Sequence, residues 1–220
     1  ETVLISKVIV DPTDTNTIYV AAMGHMHGPQ AERGVYKTVD GGNHWERILF
    51  VDANTGCSDL SLNEKDPKNL VAAMWQVNLT TWNLNSGGPG SGFYKTIDGG
   101  KTWKVMNNGL PGGSAHPIGK TSIDIAQSNP KTIYALVEDK SPGLYKSIDG
   151  GEHWKLMYEN HSMAQRAPYY TRVRVSTKDE NKLYTICVTI MESKDGGISF
   201  NGNGTYEPGG DNHDVWFDPT

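Results

Sequence analysis

The chain has 220 residues, of which 36% are hydrophobic and 20% are charged, and this balance excludes an intrinsically disordered protein. A formal net charge of -5 with scattered Lys and Arg disfavours nucleic acid as a partner, and no apolar run approaches the roughly 20 residues needed to cross a bilayer. With 25 glycines and 11 prolines, the sequence predicts many short strands and an all-β fold.

The chain contains four copies of one strand pattern. Each copy opens with two apolar runs of strand length, and in the first three copies an Asp-Pro or Asn-Pro turn separates the runs. In chain order the paired runs lie at residues 8–10 and 18–21, 60–62 and 70–73, 123–125 and 133–136, and 173–175 and 183–186. A further run at residues 214–217 resembles the first strand of a fifth copy.

A second repeated element, Ser/Thr-x-Asp-Gly-Gly-x-x-Trp, follows each strand pair. It is complete in three copies and weaker in the fourth, and its aspartates and aromatic residues are Asp40 and Trp45, Asp98 and Trp103, Asp149 and Trp154, and Asp195 and Phe200. The aspartates lie roughly 50 residues apart, which is about the length of one four-stranded propeller blade. The repeat therefore predicts a β-propeller of four-stranded antiparallel blades.

The same spacing predicts where the blades begin and end. We place four blades at approximately residues 1–51, 52–107, 108–158 and 159–201, with the start of a fifth blade at 202–220. Because the sequence starts on one strand-like run and stops just after another, we expect it to be a fragment of a longer protein. An open arc of blades would leave sheet edges without partners, so we also expect further blades, ring closure or self-association.

The repeated aspartates are predicted to have a structural role. Two glycines permit positive φ at a bend, the carboxylate can accept backbone N–H groups of its own turn, and the Trp can cover the hairpin. Equivalent carboxylates on different blades lie far apart around a ring, whereas paired-carboxylate hydrolysis needs two groups within roughly 5 to 10 Å. In an up-and-down blade these turns share one face, so the long loops lie on the opposite face, where function usually resides.

The first two long loops carry candidate ligand-binding residues. His25 and His27 have the spacing of two metal ligands, but no third ligand is visible nearby, so hydrogen-bonded loop histidines are the expected reading and no metal or cofactor is predicted. The second loop combines Trp82 with Asn85, and an aromatic face beside amide groups is the chemistry that sugar recognition needs. The alternative for Trp82 is that it closes its own loop.

Two later clusters complete the set of candidates. Arg166, Tyr169, Tyr170 and Arg172 precede the fourth blade and would suit a hydroxyl or carboxylate ligand, although packing of the tyrosines around the channel is the competing interpretation. The last cluster, formed by Asp211, His213 and Asp214, begins the predicted fifth inner strand. It contains the acid/base candidates, because a His beside carboxylates can titrate near neutral pH.

The boxes resemble those of the BNR or Asp-box superfamily, which includes sialidases, xyloglucan-degrading glycoside hydrolases and sortilin-type receptor propellers. Residues 28–38, 86–92 and 211–214 are similar to a bacterial group labelled BNR-repeat glycosyl hydrolase or sortilin N-terminal-domain-like. The resemblance implies the fold more strongly than an activity. The five arginines form no arrangement that matches the sialidase arginine triad, and the xyloglucan-degrading enzymes place their two catalytic aspartates on separate propellers.

Two functions follow as hypotheses. The first is a carbohydrate-active propeller of the glycoside hydrolase type that binds sugar on the long-loop face. The second is a non-catalytic, sortilin-like scaffold that binds peptides or a protein partner. We expect a secreted or periplasmic protein, although no signal peptide is visible in this sequence. Cys57 and Cys187 could be two buried thiols or one long-range disulfide.

Overall fold

The computed structural model describes residues 2–112, 114, 116–201 and 212–218, and these residues form four antiparallel sheets with almost no helix. Blade 1 contains β1 (Ile5–Asp11), β2 (Asp14–Ala22), β3 (Gly34–Thr38) and β4 (Glu46–Leu49). Blade 2 contains β5 (Thr55–Leu62), β6 (Leu70–Leu79), β7 (Leu84–Ser86), β8 (Gly92–Thr96) and β9 (Lys104–Val105).

Blades 3 and 4 repeat the same arrangement. Blade 3 contains β10 (Thr121–Ile125), β11 (Ile133–Val137), β12 (Gly143–Ser147) and β13 (Lys155–Glu159). A short 3₁₀ helix (His161–Met163) leads to blade 4, which contains β14 (Arg172–Val175), β15 (Leu183–Ile186) and β16 (Ile190–Ser193). The sheets are arranged as a four-bladed β-propeller, so the prediction from the repeats is confirmed.

The first strand of each blade is the innermost one. β5 packs against β1 on one side and β10 on the other, and β10 in turn packs against β14. Serine side chains join these strands across the blades: the Ser6 hydroxyl donates to the Cys57 carbonyl at 2.6 Å, and the Ser58 hydroxyl donates to the Thr121 carbonyl at 2.7 Å. The axis of the propeller is therefore closed by polar bonds as well as by apolar packing.

Three details differ from the regular four-stranded pattern. In blade 4 the fourth strand is reduced to one bridge between Glu192 and Asn201, where the sequence turns to alternating Asn and Gly, which are poor strand formers. The strand predicted at residues 214–217 is not formed: residues 212–218 contain no strand and are held on blade 4 by side chains, including ring packing of Phe217 on Tyr184. The long loop of blade 2 contains the extra strand β7, which pairs with β6.

Apolar clusters fill the space between consecutive blades, and the aromatic residues of the boxes belong to them. Trp103 packs on the cluster shared by blades 1 and 2, Trp154 on that of blades 2 and 3, and Phe200 on that of blades 3 and 4. Trp45 lies in the first described blade and is 44% exposed, and its indole N–H donates to the Gly42 carbonyl at 3.0 Å. The box aromatic of each later blade thus packs toward the blade before it.

Each box forms one closed turn. Its two glycines have φ between 72° and 98°, a region that other residues rarely adopt. In the second box the Asp98 carboxylate accepts the backbone N–H of Thr102 at 2.9 Å and its hydroxyl at 2.6 Å. The Thr96 hydroxyl donates to Asp98 at 2.7 Å and accepts the Gly100 N–H at 3.0 Å.

The boxes lie on the same face as the turns between the first and second strands. In every blade the first box glycine donates its N–H to a carbonyl of that turn, and the four pairs are Gly41 with Asn16, Gly99 with Lys68, Gly150 with Lys131, and Gly196 with Asn181. The long loops therefore lie on the opposite face, as the strand order predicts. No helix within the described ranges is long and apolar enough to span a membrane.

The first prediction concerns the buried hydroxyl of the second box. We expect Thr96→Val to lower the free energy of unfolding by about 1–3 kcal/mol, because the buried Gly100 N–H loses its acceptor while the shape of the side chain is kept. Urea unfolding followed by fluorescence measures this change. Lys101→Ala, which alters an exposed side chain of the same turn, is the control, and equal stability of the two variants would contradict the assignment.

The boxes also predict how stability depends on pH. Hydrogen bonds from the residue four positions later lower the pKa of each box aspartate, to about 2 for Asp195 and further for the other three. A lowered pKa contributes stability above the unfolded value of about 4 and loses it as the pH falls through the folded value. We expect the urea concentration at the midpoint of unfolding to decrease as the pH is lowered below about 4, and to decrease less in Asp98→Asn than in the original protein. The same pH dependence in both proteins would contradict this prediction.

Candidate functional site

A cavity of about 280 Å³ lies at the long-loop end of the central channel. Residues of all four blades and of the connections between them line it, among them Met23, Ser58, Trp75, Lys120, Tyr169 and Arg172. Tyr169 is 74% exposed at its edge, whereas Trp75 is buried at its wall. The cavity thus combines an accessible aromatic ring with two cationic side chains, and no Asp or Glu is among its described lining residues.

Behind this cavity, a fully buried carboxylate holds the innermost strands together. Asp59 on β5 pairs with Arg172 and Arg174 on β14, with one N–O distance of 3.1 Å to each guanidinium. Its carboxylate also accepts the Ser122 hydroxyl of β10 at 2.5 Å. Burial alone would raise the pKa of Asp59, but the two guanidinium charges outweigh burial and lower it to about 2, so the carboxylate is ionised at neutral pH.

Arg172 connects this carboxylate to the cavity and to blade 1. Its second terminal nitrogen donates to the Ser6 carbonyl of β1 at 3.1 Å, so one side chain links blades 1, 2 and 4. Because both ends of the guanidinium are fixed, the part of Arg172 that lines the cavity has little freedom to move. A pre-positioned donor of this kind loses little entropy when it binds a ligand.

Lys120 is placed in the cavity by a chain of hydrogen bonds. Glu138 accepts the Lys120 backbone N–H and the Ser86 hydroxyl, each at 2.6 Å, and Ser86 in turn accepts the Trp75 indole N–H at 3.1 Å. The Lys120 ammonium lies 5.6 Å from the centre of the Trp75 ring and donates to the Tyr169 carbonyl at 3.1 Å. The bond to Tyr169 joins the loop before blade 3 to the loop before blade 4.

The charge of Lys120 is weakly compensated. Burial, followed by repulsion from Arg172, lowers the pKa of its ammonium to about 8. No carboxylate among the described residues lies within the 4 Å of its nitrogen that defines an ion pair. Lys120 is therefore a cation in the cavity whose protonation changes just above neutral pH.

Asp214 and His213 of the predicted acid/base cluster lie outside the lining of this cavity. Asp214 pairs with Arg174 at 2.7 Å and approaches Lys7 to 3.8 Å, and His213 packs on the ring of Tyr170 at 5.1 Å between centres. Burial opposes ionisation of Asp214, but the charge of Arg174 prevails and lowers its pKa. This arrangement is that of a charge partner rather than of a general acid. Asp211 lies outside the described residues.

The two histidines of the first loop do not point to a shared ligand. His27 contacts the Leu79 carbonyl through Nδ1 at 3.0 Å, and His25 is anchored through its backbone N–H, which donates to Gln30. Buried Arg33 fixes this loop by donating to the His25 carbonyl at 2.6 Å and to the Asn54 carbonyl of blade 2. Within the described part of the chain, no group of three or more His, Cys, Asp or Glu residues is placed to hold a metal ion.

The remaining sequence candidates separate into two places. Trp82 is 88% exposed at the tip of the hairpin between β6 and β7, where Asn85 accepts the Asn83 amide at 2.8 Å, and neither Trp82 nor Asn85 lines the cavity. Arg166 is exposed and accepts the Tyr169 N–H through its carbonyl. Tyr170 is buried, so only Tyr169 and Arg172 of this cluster line the cavity.

Two further cavities lie elsewhere among the described residues. A cavity of about 340 Å³ at the opposite mouth of the channel is lined by Lys7, Asp124 and Arg174, and one of about 330 Å³ beside Glu138 is lined by His116 and Asp139. Cys57 and Cys187 are both buried free thiols, which settles the alternative that the sequence left open.

Comparison with known proteins finds similar propellers. No protein-family model matches the chain. Xyloglucanase Xgh74A of Acetivibrio thermocellus is 27% identical over 172 residues, which cover 69% of this chain and 19% of that protein. The chain is similar to GH74 xyloglucanases. It spans about a fifth of the length of that curated relative.

Solved structures give the same likeness in the fold. The GH74 xyloglucanase from Xanthomonas campestris superposes with a TM-score of 0.67 at 17% identity, covering 88% of this chain and 28% of that one. The GH74 enzyme of Niastella koreensis gives a TM-score of 0.52 at 14% identity, covering 94% of this chain and 44% of that one. At these identities the superpositions show a shared propeller fold.

Sequence reasoning missed Lys120, Trp75, Asp59 and Arg174. A signal existed for two of them: Asp59 and Arg174 are charged residues inside otherwise strand-like runs, and Arg174 is two positions from Arg172, so both arginines point to one side of a strand. Lys120 had no comparable signal, because a single Lys before a strand is ordinary. Its position depends on Glu138 and Ser86, which are distant in sequence.

The buried network gives a stability prediction. We expect Asp59→Asn to destabilise the protein by about 3–5 kcal/mol, because two buried guanidinium groups lose their shared counter-charge. Chemical unfolding at neutral pH measures the loss. Asp66→Asn makes the same charge change on an exposed turn and is the control. A similar, small effect of both substitutions would contradict the conclusion that Asp59 stabilises the innermost strands.

Proposed function

We propose that this propeller binds carbohydrate in the long-loop cavity lined by Trp75, Lys120, Tyr169 and Arg172. The observation that carries the proposal is the convergence of an exposed tyrosine ring and two fixed cationic donors in one cavity at the mouth of the channel. Sugar rings present apolar C–H faces to aromatic rings and hydroxyl oxygens to N–H donors, so this combination suits a saccharide.

The proposed roles follow from exposure and position. Tyr169 offers its open face to the sugar ring, while Arg172 and Lys120 donate hydrogen bonds to ring substituents. At about 280 Å³ the cavity is near the small end of the roughly 300–1,000 Å³ typical of ligand sites, so it accommodates a short part of a glycan. Similarity to proteins named as xyloglucanases supports a plant-type β-glucan as the first ligand to test.

We propose binding as the function of this chain and leave hydrolysis as a further hypothesis. Retaining and inverting glycosidases use two carboxyl groups that flank the bond, and the described lining of this cavity provides none. Asp214 is the nearest sequence candidate, and its ion pair with Arg174 disfavours the protonated form that a general acid needs. Unchanged hydrolysis by Asp214→Asn, if the protein hydrolyses any glycan, would exclude Asp214 from catalysis.

The proposal predicts the effect of removing the exposed ring. We expect Tyr169→Ala to weaken binding of xyloglucan oligosaccharides about 3- to 10-fold, the effect of one lost stacking contact. Isothermal titration calorimetry on the full chain measures the change. Trp216→Ala removes another exposed aromatic ring that does not line the cavity, and it should leave the affinity unchanged.

A third variant distinguishes the cavity from the loop tip. Trp82 is the aromatic platform predicted from the sequence, and Trp82→Ala tests it under the same conditions. Loss of binding in Trp82→Ala alone would move the site to the hairpin between β6 and β7 and refute the cavity proposal. Binding of peptides without binding of any glycan would favour the sortilin-like scaffold instead.

The secreted or periplasmic location stays part of this proposal, because a glycan-binding propeller meets polysaccharides outside the cytoplasm. The apolar side chains exposed on β1, among them Val8 and Val10, are likewise consistent with the expected contact to further blades or to a second copy. Neither expectation affects the cavity, because described residues of the loops and inner strands line it.

A further inference from the structure

Two cationic side chains, Lys120 and Arg172, line the cavity at the long-loop mouth of the channel, and no Asp or Glu is among its described lining residues. The carboxylates nearest to these two cations are Asp59, Asp214 and Glu138. Lys7, Arg174 and Asp124 line the cavity at the opposite mouth. The long-loop cavity is thus lined by cations in a chain whose formal net charge is -5.

The three carboxylates are already engaged by other groups. Asp59 is shared by two arginines, and Asp214 pairs with Arg174. Glu138 accepts the Lys120 backbone N–H and the Ser86 hydroxyl through the same oxygen. The Lys120 ammonium is therefore left with a carbonyl and an aromatic ring as its close contacts, and it lines the cavity that we assign to the ligand.

An ammonium held this way is suited to an anion brought by the ligand. A half-buried cation without a counter-ion gains more from a carboxylate than an exposed one does, because the local dielectric constant is lower than that of water. The ring of Tyr169 lies at the same cavity and provides the apolar contact for a pyranose. A lone phosphate or acetate would satisfy the charge but leave that ring uncovered.

We propose that the cavity selects saccharides that carry a carboxylate, and that Lys120 forms the ion pair with the uronate group of the ligand. This inference rests on the proposed carbohydrate-binding function and names its substrate class. Arg172 assists as a fixed neighbouring cation whose own charge is balanced by Asp59. Tyr169 contributes to acidic and neutral sugars alike, whereas Lys120 distinguishes between them.

The experiment compares two sets of oligosaccharides of equal length on the full chain by calorimetry. Oligogalacturonate is the acidic probe and xyloglucan oligosaccharide the neutral one, at pH 7 and low salt. We expect the acidic probe to bind at least about 10-fold more tightly, the size of one charge-assisted hydrogen bond. We expect Lys120→Met to remove that preference, because it weakens the acidic probe, which loses an ion pair, about 10-fold more than the neutral probe, which loses one hydrogen bond.

Lys120→Arg is the matched variant that keeps the charge. The charged groups that face Lys120 are Arg172 of β14, Asp59 of β5 and Glu138 after β11, and the Cys187 thiol after β15 is the other titratable group. Because the ammonium loses its proton near pH 8, affinity of the original protein for the acidic probe should fall between about pH 7 and pH 9. Lys120→Arg should retain the preference for the acidic probe and lose that pH dependence.

Each result has a distinct meaning. Equal affinity for both probes would overturn the uronate inference and leave the proposed function standing, whereas binding of neither probe would overturn both. A preference for the acidic probe that persists in Lys120→Met would also overturn the inference, because another group would then bind the carboxylate. Inorganic phosphate serves as the competitor: displacement of the acidic probe by phosphate as readily as by free galacturonate would identify a simple anion site instead.

Discussion

The ionised carboxylate of Asp59 is the constraint on which the centre of this propeller depends. It is fully buried on β5, yet it neutralises two arginines of β14 and accepts a hydroxyl of β10. A buried charge is tolerated only when it is paired and hydrogen-bonded. Because Arg172 also donates to the Ser6 carbonyl of β1, the same carboxylate helps to set the position of a side chain at the mouth of the channel. Stability of the axis and geometry of the candidate site therefore have one physical origin.

Each box of the second, third and fourth blades contacts the blade before it, and this contact repeats from blade to blade. A methyl group added at the second glycine of a box would overlap a side chain of the blade before it: Ile48 at Gly100, Met106 at Gly151 and Leu144 at Gly197. Lysines of the preceding blade add to the same contact, since Lys37 and Lys95 each donate to the carbonyl of the first box glycine in the next blade. Each turn is thus closed by its own Asp and placed by its neighbours. Trp45, in the first described blade, lacks this contact and is exposed.

The fold could be predicted from the sequence because its determinants are local and repeated. Asp98, two glycines and Trp103 specify a turn within eight residues, and four such turns at blade spacing specify the architecture. The site could be predicted only in part, because its residues meet through bonds between distant segments. Tyr169 and Arg172 were found, since they belong to a visible cluster of aromatic and cationic residues. Lys120 was not predicted, because its position is set by Glu138, which is distant in sequence. The sequence favoured Trp82 as the aromatic platform, whereas it is the buried Trp75 that lines the cavity.

The position of the cavity also limits what one chain of this size can do. The described carboxylates near the axis, Asp59, Asp214 and Glu138, serve as counter-ions or as acceptors of backbone and hydroxyl groups. Converting one of them to a catalytic acid would require removing a guanidinium that holds two blades together, so acid catalysis and stability compete for the same residues. Ligand binding does not compete with stability in this way, because neither the Tyr169 ring nor the Lys120 ammonium neutralises a buried charge. The arrangement therefore supports the proposed binding of a ligand in this cavity.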